Sequence, residues 1–357
     1  MKIVLRVIGI VLLVLVLLLA AGLGVLTLME YRPADVEELV LSGSAEKAVA
    51  PGDSLTLVSW NIGYGALGDN ADFFMDGGHS VQTADEARVQ TNLKGISDRL
   101  SELNPDVIFL QEVDANSDRS HHVDERRVID EALAGATGVN RITAFANNFK
   151  AFVPYPLPPI GSVDSGLYTL SALPVAGASR VSLPVPFSWP VRTVNLKRCL
   201  LVTRVPLEND SRELVLVNLH LEAYDNGEGK IAQTRQLATF LKSEAEKGNY
   251  VIAGGDFNQV FTNVDTGAYP FYEGMWKPGF IEAEEFAGLS LLMDNRVPTC
   301  RSLDKPLAGA SLEGFQFYMI DGFMISPNVR VDALDTIDTG FVSSDHNPVR
   351  MQVTLEN

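Results

Sequence analysis

The chain has 357 residues and a hydrophobic content of 46%. That suits one large globular domain or two ordinary ones, and it is too apolar for a disordered protein. There are 28 Lys and Arg against 45 Asp and Glu, a net charge of −17. Such acidity argues against the broad phosphate-backbone grip of a nucleic-acid binder, although a local basic groove remains compatible with it.

The first predicted element is apolar. VIGIVLLVLVLLLAAGLGVLTLM, residues 7–29, carries no charge and is long enough to cross a bilayer as a helix. Lys2 and Arg6 precede it, so residues 1–6 are expected in the cytoplasm and the body of the protein outside. Ala20, Ala21 and Gly22 would suit cleavage of a signal peptide and a secreted product. The run exceeds the ~7–15-residue apolar core of a signal peptide, which favours a retained anchor. Residues 30–52 are mixed in character, end in Pro51-Gly52, and are expected to form a linker with one helical turn.

From Leu55 onward strands alternate with helices. LTLVSW is strand-like. ADEARVQTNLKGISDRLSEL places Val89, Leu93, Ile96, Leu100 and Leu103 near helical spacing and predicts an amphipathic helix. DVIFLQ follows Asn104-Pro105 as a buried strand. ERRVIDEALAGATG predicts a helix ended by glycine. SGLYTLS, CLLVTRV and ELVLVNLHL predict strands, and GKIAQTRQLATFLKSEAEKG another helix, closed by Gly248. YVIAGG, FQFYMIDGFMIS and NPVRMQVTL complete the strands. The proline-rich stretch Ala151–Pro190 is expected to be largely irregular. Residues 53–357 thus form one α/β domain with mixed strand directions. Cys199 and Cys300 could pair outside the cytoplasm. Cys199 also opens the apolar run CLLV, where a buried thiol would serve equally well, and spacing alone does not supply disulfide geometry.

Polar residues gather where the strands end. Asn61 follows LVSW, and Gln111 and Glu112 follow DVIFL. Asn218 and His220 close LVLVN. Asp256 and Asn258 follow VIAGG, Asp321 lies inside YMIDGFMIS, and Asp345 and His346 precede the last strand. A single strand-end Asn or Asp usually turns the chain. Six such ends carrying Asn, Glu, Asp or His point instead to a site at the carboxyl edge of a sheet.

In order along the chain, SWNIG, FLQEVD, VNLHLE, GGDFN, IDGFMIS and SSDHNPV resemble the motifs of the endonuclease/exonuclease/phosphatase superfamily. The resemblance runs from about Leu55 to the C-terminus. It implies a four-layer α/β sandwich, two mixed β-sheets flanked by helices, here preceded by a transmembrane helix. It also implies divalent-metal-dependent hydrolysis of a phosphoester. Glu112 and Asn61 offer oxygen ligands suited to Mg²⁺ or Mn²⁺, and Asp345 would support the metal. Asp256 matches the position that holds or deprotonates the attacking water, and Asn258 would orient water or phosphate. His346 would donate to a phosphate oxygen, with Asp321 fixing its tautomer. His220, in N-x-H, is similar to the acid or phosphate donor of DNase-like and neutral sphingomyelinase-like members. One departure is Gly63, where some members carry an acidic metal ligand.

Lys197, Arg198 and Arg301 could meet substrate phosphate; a strand start in solvent is an equal alternative for the first two. His121 and His122 fall in a polar run and are expected to be solvated. The glycines between Gly63 and Gly78 suggest a mobile loop, without the pattern of a phosphate-binding P-loop. The expected protein is a monomeric, membrane-anchored phosphodiesterase acting on a lipid head group or nucleic acid. Aromatics around Phe152, Tyr155, Phe187 and Trp189 are candidates for an apolar lip, or for ordinary packing. Alternatives are an extracellular nuclease, a phosphomonoesterase for inositol or sugar phosphates, and a binding module without catalysis.

Overall fold

The structure, a computed structural model, describes residues 2–225 and 227–357. Its core is two seven-stranded mixed sheets packed face to face. Across the first sheet the strands run Val36–Glu38, Gly177–Ser182, Cys199–Pro206, Glu213–His220, Tyr250–Asp256, Asp321–Ile325 and Ser290–Leu292. Across the second they run Val329–Thr336, Val349–Leu355, Ser54–Asn61, Val107–Asp114, Gly161–Ser171, Ile142–Val153 and Ser42–Gly43.

Each sheet holds one parallel pair, and a helix makes each crossover as parallel pairing requires. Ser54–Asn61 lies parallel to Val107–Asp114, connected through the helix Glu86–Leu103. Glu213–His220 lies parallel to Tyr250–Asp256, connected through the helix Glu228–Glu246. The first of these helices starts on Asp85, whose side chain accepts from the Arg88 N–H, and ends on Asn104 in the left-handed region before Pro105.

The strand period of two sorts the core into layers. Leu57 and Phe109 of one sheet meet Leu216, Ile252 and Phe323 of the other in the central layer. Val58, Ile108 and Leu110 point the opposite way, toward Leu93, Ile96 and Ile129 of the helices Glu86–Leu103 and Glu125–Thr137. Val215, Val217 and Val251 pack beneath Leu237 and Leu241 of the remaining helix. The result is helix, sheet, sheet, helix. Two amides cross the central layer: Gln111 Nε2 donates to Asn218 Oδ1 at 2.8 Å, and Asn218 Nδ2 donates to the Leu110 carbonyl at 3.0 Å. These two strand-end residues stitch the sheets together.

Several expectations need correction. Residues 30–52 contain two short strands in place of a helical turn. Val36–Glu38 pairs with Gly177–Ser182 and Ser42–Gly43 with Ile142–Val153, so this segment closes one edge of each sheet. The stretch Ala151–Pro190 is more regular than its prolines suggest, because Gly161–Ser171 and Gly177–Ser182 are both paired strands. The glycine-bearing segment after Asn61 begins as a buried turn, with Gly63, Tyr64 and Gly65 all inaccessible. Cys199 and Cys300 are buried free thiols. Burial raises both above the usual thiol range, Cys199 to about 11 and Cys300 to about 12, so both stay protonated at neutral pH. Residues Lys2–Leu28 form one unburied helix, long and apolar enough to cross a membrane.

Candidate active site

The carboxyl ends of the two parallel pairs meet. Glu112 arrives from one sheet, His220 and Asp256 from the other, and together with Asp345 and His346 they border a cleft of about 400 Å³, with Asn61 bonded to Glu112 and Asp256 behind its wall. A bulge aims Glu112. Between Leu110 and Val113 the ladder with Gly161–Ser171 shifts register, and Glu112 takes φ of 54°. An extra residue in one strand bends it and redirects a side chain, and here the redirected residue is the carboxylate.

Asn61 ties the two halves. Its Nδ2 lies 3.1 Å from Glu112 Oε1 and 3.1 Å from Asp256 Oδ2, while its Oδ1 accepts from the Gly63 N–H at 3.0 Å. Asp256 is buried at the end of its strand. The Asn258 N–H donates to its Oδ1 at 2.8 Å, and its other oxygen faces His220 Nε2 at 3.4 Å and His346 Nε2 at 3.8 Å. Burial, and then the charge of Asp321, push Asp256 up to about 7, against the pull of His346. Asn258 adopts φ of 51°, and its amide donates to the Leu221 carbonyl at 2.9 Å. That bond fixes the turn carrying Asp256.

His346 and Asp321 form a pair, Nδ1 to Oδ2 at 2.8 Å. Asp321 stands opposite Asp256 on the neighbouring antiparallel strand. Desolvation opposes charge on His346, yet the Asp321 carboxylate and the Cys300 side chain outweigh it and hold the imidazole well above its usual value. His220 goes the other way: burial, then Arg198, His346 and Arg119, drive it well below. Two histidines in one cleft therefore differ in charge at neutral pH, His346 cationic and His220 neutral. Environments that push neighbouring groups apart in this way separate their chemical roles.

The backbone of the Asp345-His346 segment is held apart from its side chains. Trp60 Nε1 donates to the His346 carbonyl at 2.8 Å, the Arg301 N–H to the Asp345 carbonyl at 3.0 Å, and Ser344 Oγ to the Asn61 carbonyl at 2.8 Å. Asn347 accepts from Thr339 and donates to the Pro298 carbonyl, turning the chain into its last strand.

Gly63 gains a reason. A Cβ there would lie 2.8 Å from Leu67 Cβ and 2.9 Å from Asp345 Oδ1, and φ is +52°. The bare glycine lets the Asp345 carboxylate occupy space a side chain would fill. Desolvation, with the nearby Glu112 charge, raises Asp345 to about 6 although His346 draws it down. Gly63→Ala is expected to cost about 1–3 kcal/mol through left-handed strain and overpacking and to displace Asp345. A lower Tm checks it.

A divalent cation fits this cleft. Glu112, Asp256 and Asp345 crowd acidic oxygens into a buried space, and oxygen donors suit hard cations. Among the described residues, the tight three-ligand clusters are Asp256, Asp321 and His346, and Cys300, Asp345 and His346. In both, His346 already commits Nδ1 to Asp321.

The basic candidates separate. Arg198 borders the cleft, its Nε 3.2 Å from Glu222 Oε2 and its Nη1 donating to the His220 carbonyl at 3.1 Å. Lys197 points away to the Arg192 carbonyl and to Glu30 at 3.2 Å. Arg301 also borders the cleft but spends its guanidinium on the carbonyls of Ser302, Gly68 and Ala71. His121 and His122 lie outside the cleft, bonded to the Ala84 carbonyl and to Asn116. Sequence reasoning missed Arg119, which stacks 3.7 Å over the Tyr64 ring and is held by Asp114 at 2.8 and 3.1 Å. It sits in a polar run without a motif, so only the fold reveals its place beside Glu112. Glu222, which also borders the cleft, was missed as well, although its period-two spacing from His220 could have flagged it.

Comparison with known proteins agrees with this geometry. The profile of the Endonuclease/Exonuclease/phosphatase family matches residues 58–346. No curated protein matches the chain. Among solved structures, an endonuclease/exonuclease/phosphatase from Beutenbergia cavernae is similar at TM-score 0.54 and 19% identity, covering 85% of this chain and 72% of that one. A family protein from Leptotrichia buccalis gives 0.54 and 15%, covering 84% and 99%. The human nocturnin catalytic domain gives 0.51 and 14%, covering 88% and 97%. At these identities the likeness establishes the shared fold. The chain belongs to the endonuclease/exonuclease/phosphatase family, whose members are hydrolases of phosphoester bonds.

Proposed function

We propose that this protein is a membrane-anchored phosphodiesterase that uses Mg²⁺ or Mn²⁺ and attacks its substrate directly with water. The observation that carries the reading is the buried set Asp256, His346 and Asp321, in which Asp256 and His346 are both raised while the neighbouring His220 is lowered. A binding module would have no use for an imidazolium held against a carboxylate beside a second carboxylate near neutrality.

Glu112 and Asp345 would hold the cation, with Asn61 fixing Glu112 against Asp256. When bound, such a cation supplies positive charge to the phosphate and to the charge that builds in the transition state. Asp256, with its pKa near 7, both accepts a proton from water and releases it afterwards. The Asn258 N–H, at 2.8 Å, leaves its second oxygen as the acceptor. His346 donates from Nε2 to a phosphate oxygen, and its charge is worth more in a buried cleft than in water. Neutral His220 adds a second N–H donor within 3.4 Å of Asp256. The uncharged segment 7–29 and its helix support retention in the membrane, with Lys2 and Arg6 on the cytoplasmic side and the catalytic domain outside.

The test uses the full chain in detergent with bis(p-nitrophenyl) phosphate. Mg²⁺ at about a hundredfold excess over its dissociation constant should stabilise the fold by about 2.7 kcal/mol, raise Tm and support turnover. EDTA should reverse both effects, and Glu112→Gln should abolish the Tm shift. A protein indifferent to Mg²⁺ in both readouts would refute the reading.

A further inference from the structure

We infer that the apolar rim of the active-site cleft rests on the same membrane that the N-terminal helix spans, so that the cleft opens at the lipid–water interface and admits the phosphoester head groups of lipids. The chemical half of this inference rests on the phosphodiesterase activity proposed above, and the docking half on the membrane anchoring proposed there.

The last turn of the helix sets the height of the rim. Leu26 packs against the cluster of Val153, Ile160, Val163 and Val194. Trp189 Nε1 donates to Thr27 Oγ1 at 3.0 Å. Just beyond the helix, Glu30 receives Arg32 at 3.1 Å, Lys197 at 3.2 Å and Arg192 at 3.3 Å. Residues 26 and 27 end the apolar run, so in a spanning helix they sit where hydrocarbon gives way to head groups. Whatever touches them is held at that level. What touches them is also the wall of the cleft, because Val153, Ile160 and Val194 line it together with Tyr155 and Phe187.

The rim is apolar where it faces outward. Leu157 is 89% exposed, Trp189 52%, Tyr155 50% and Val191 47%. These side chains come from the two segments beside the helix end, and exposed large apolar groups gathered at one cleft rim mark an interaction surface. Trp and Tyr favour the membrane interface, where the ring is buried and the polar edge stays wet. The charge pattern agrees. Although the whole chain carries −17, three cations converge on the single carboxylate of Glu30, and Lys150 nearby is balanced by Asp164 at 2.8 Å. The excess cations stand at head-group height, where they attract lipid phosphates. A substrate in the same leaflet would then meet the cleft at the high effective concentration that tethering provides.

The experiment reconstitutes the full chain in vesicles of phosphatidylcholine brominated near the glycerol end of one acyl chain. Trp60 is buried and Trp276 is turned inward to the Ala223 carbonyl, so Trp189 should provide most of the bromine-quenched fluorescence. Trp189→Phe should remove that quenching. In parallel, turnover is measured on hexadecyl p-nitrophenyl phosphate in vesicles and on its ethyl analogue in solution. Leu157→Asp with Val191→Asp should cut the vesicle rate by about tenfold or more, the equivalent of one apolar side chain withdrawn from lipid. The soluble rate should not change, since neither residue lines the cleft. Quenching that persists in Trp189→Phe, or equal loss of both rates, would overturn the inference. If the native chain turns over neither ester, the proposed chemistry fails, and the quenching result alone decides docking.

Discussion

Asp256→Asn is expected to lower kcat/KM for a soluble phosphodiester by about 10³-fold or more while leaving Tm unchanged or raised. Asn keeps the volume and its oxygen can still accept from the Asn258 N–H, but its NH2 then faces the Asn61 Nδ2 donor, and it cannot take a proton. Loss of a positioned base costs about 10²–10⁴-fold, and this residue also shares its second oxygen with both histidines. The stability half follows from linkage. The folded pKa of about 7 lies above the ordinary carboxylate value of 3.8, so the folded state binds the proton more tightly. The stability this gives is present below the unfolded value and is lost as pH rises through 7. At pH 8 the native carboxylate is therefore a cost that Asn removes. Kinetics with Mg²⁺ and thermal melts in EDTA test the two halves separately. A variant keeping a tenth of native activity would remove Asp256 from the role of base.

The pattern that made the site legible was local. Asn61, Glu112, His220, Asp256 and His346 each follow or precede an apolar run of strand length, and a sheet edge collects such ends without knowledge of the topology. The long strand Ile142–Val153 escaped because its buried positions include Ala144, Ala146 and Asn148, which give little hydrophobic contrast. Val36–Glu38 and Ser42–Gly43 are too short for any period to show; pairing partners about a hundred residues away or more define them. Arg301 looked like a free cation because its three carbonyl partners are contributed mostly by residues some 230 positions earlier. The bulge at Glu112 was equally hidden, since its cause is the register of the partner strand. Positions set by nearest neighbours were therefore readable, whereas contacts set by distant backbone were not.

His346→Ala should remove about 10³-fold or more of kcat and leave the fold intact, and Asp321→Asn should separate charge from position. The fold survives His346→Ala because the segment is fixed through main-chain atoms: the carbonyl of residue 346 accepts from Trp60, and that of Asp345 from the Arg301 N–H. The loss in rate is that of a charge-assisted donor in a desolvated cleft, where removal of one such group costs about 10²–10³-fold, compounded by release of Asp256 from its cationic neighbour. Asp321→Asn keeps an acceptor for Nδ1 but deletes the carboxylate charge that raises His346 above its usual value. Burial then acts with little opposition and the imidazole loses its proton at lower pH. If the charged form is the working one, the ratio of native to Asp321→Asn activity, corrected for the change in Asp256 titration, must grow as pH rises, because the variant imidazole loses its proton at lower pH than the native one. A ratio independent of pH would mean that Asp321 only orients the ring, and that His346 works as a neutral donor like His220.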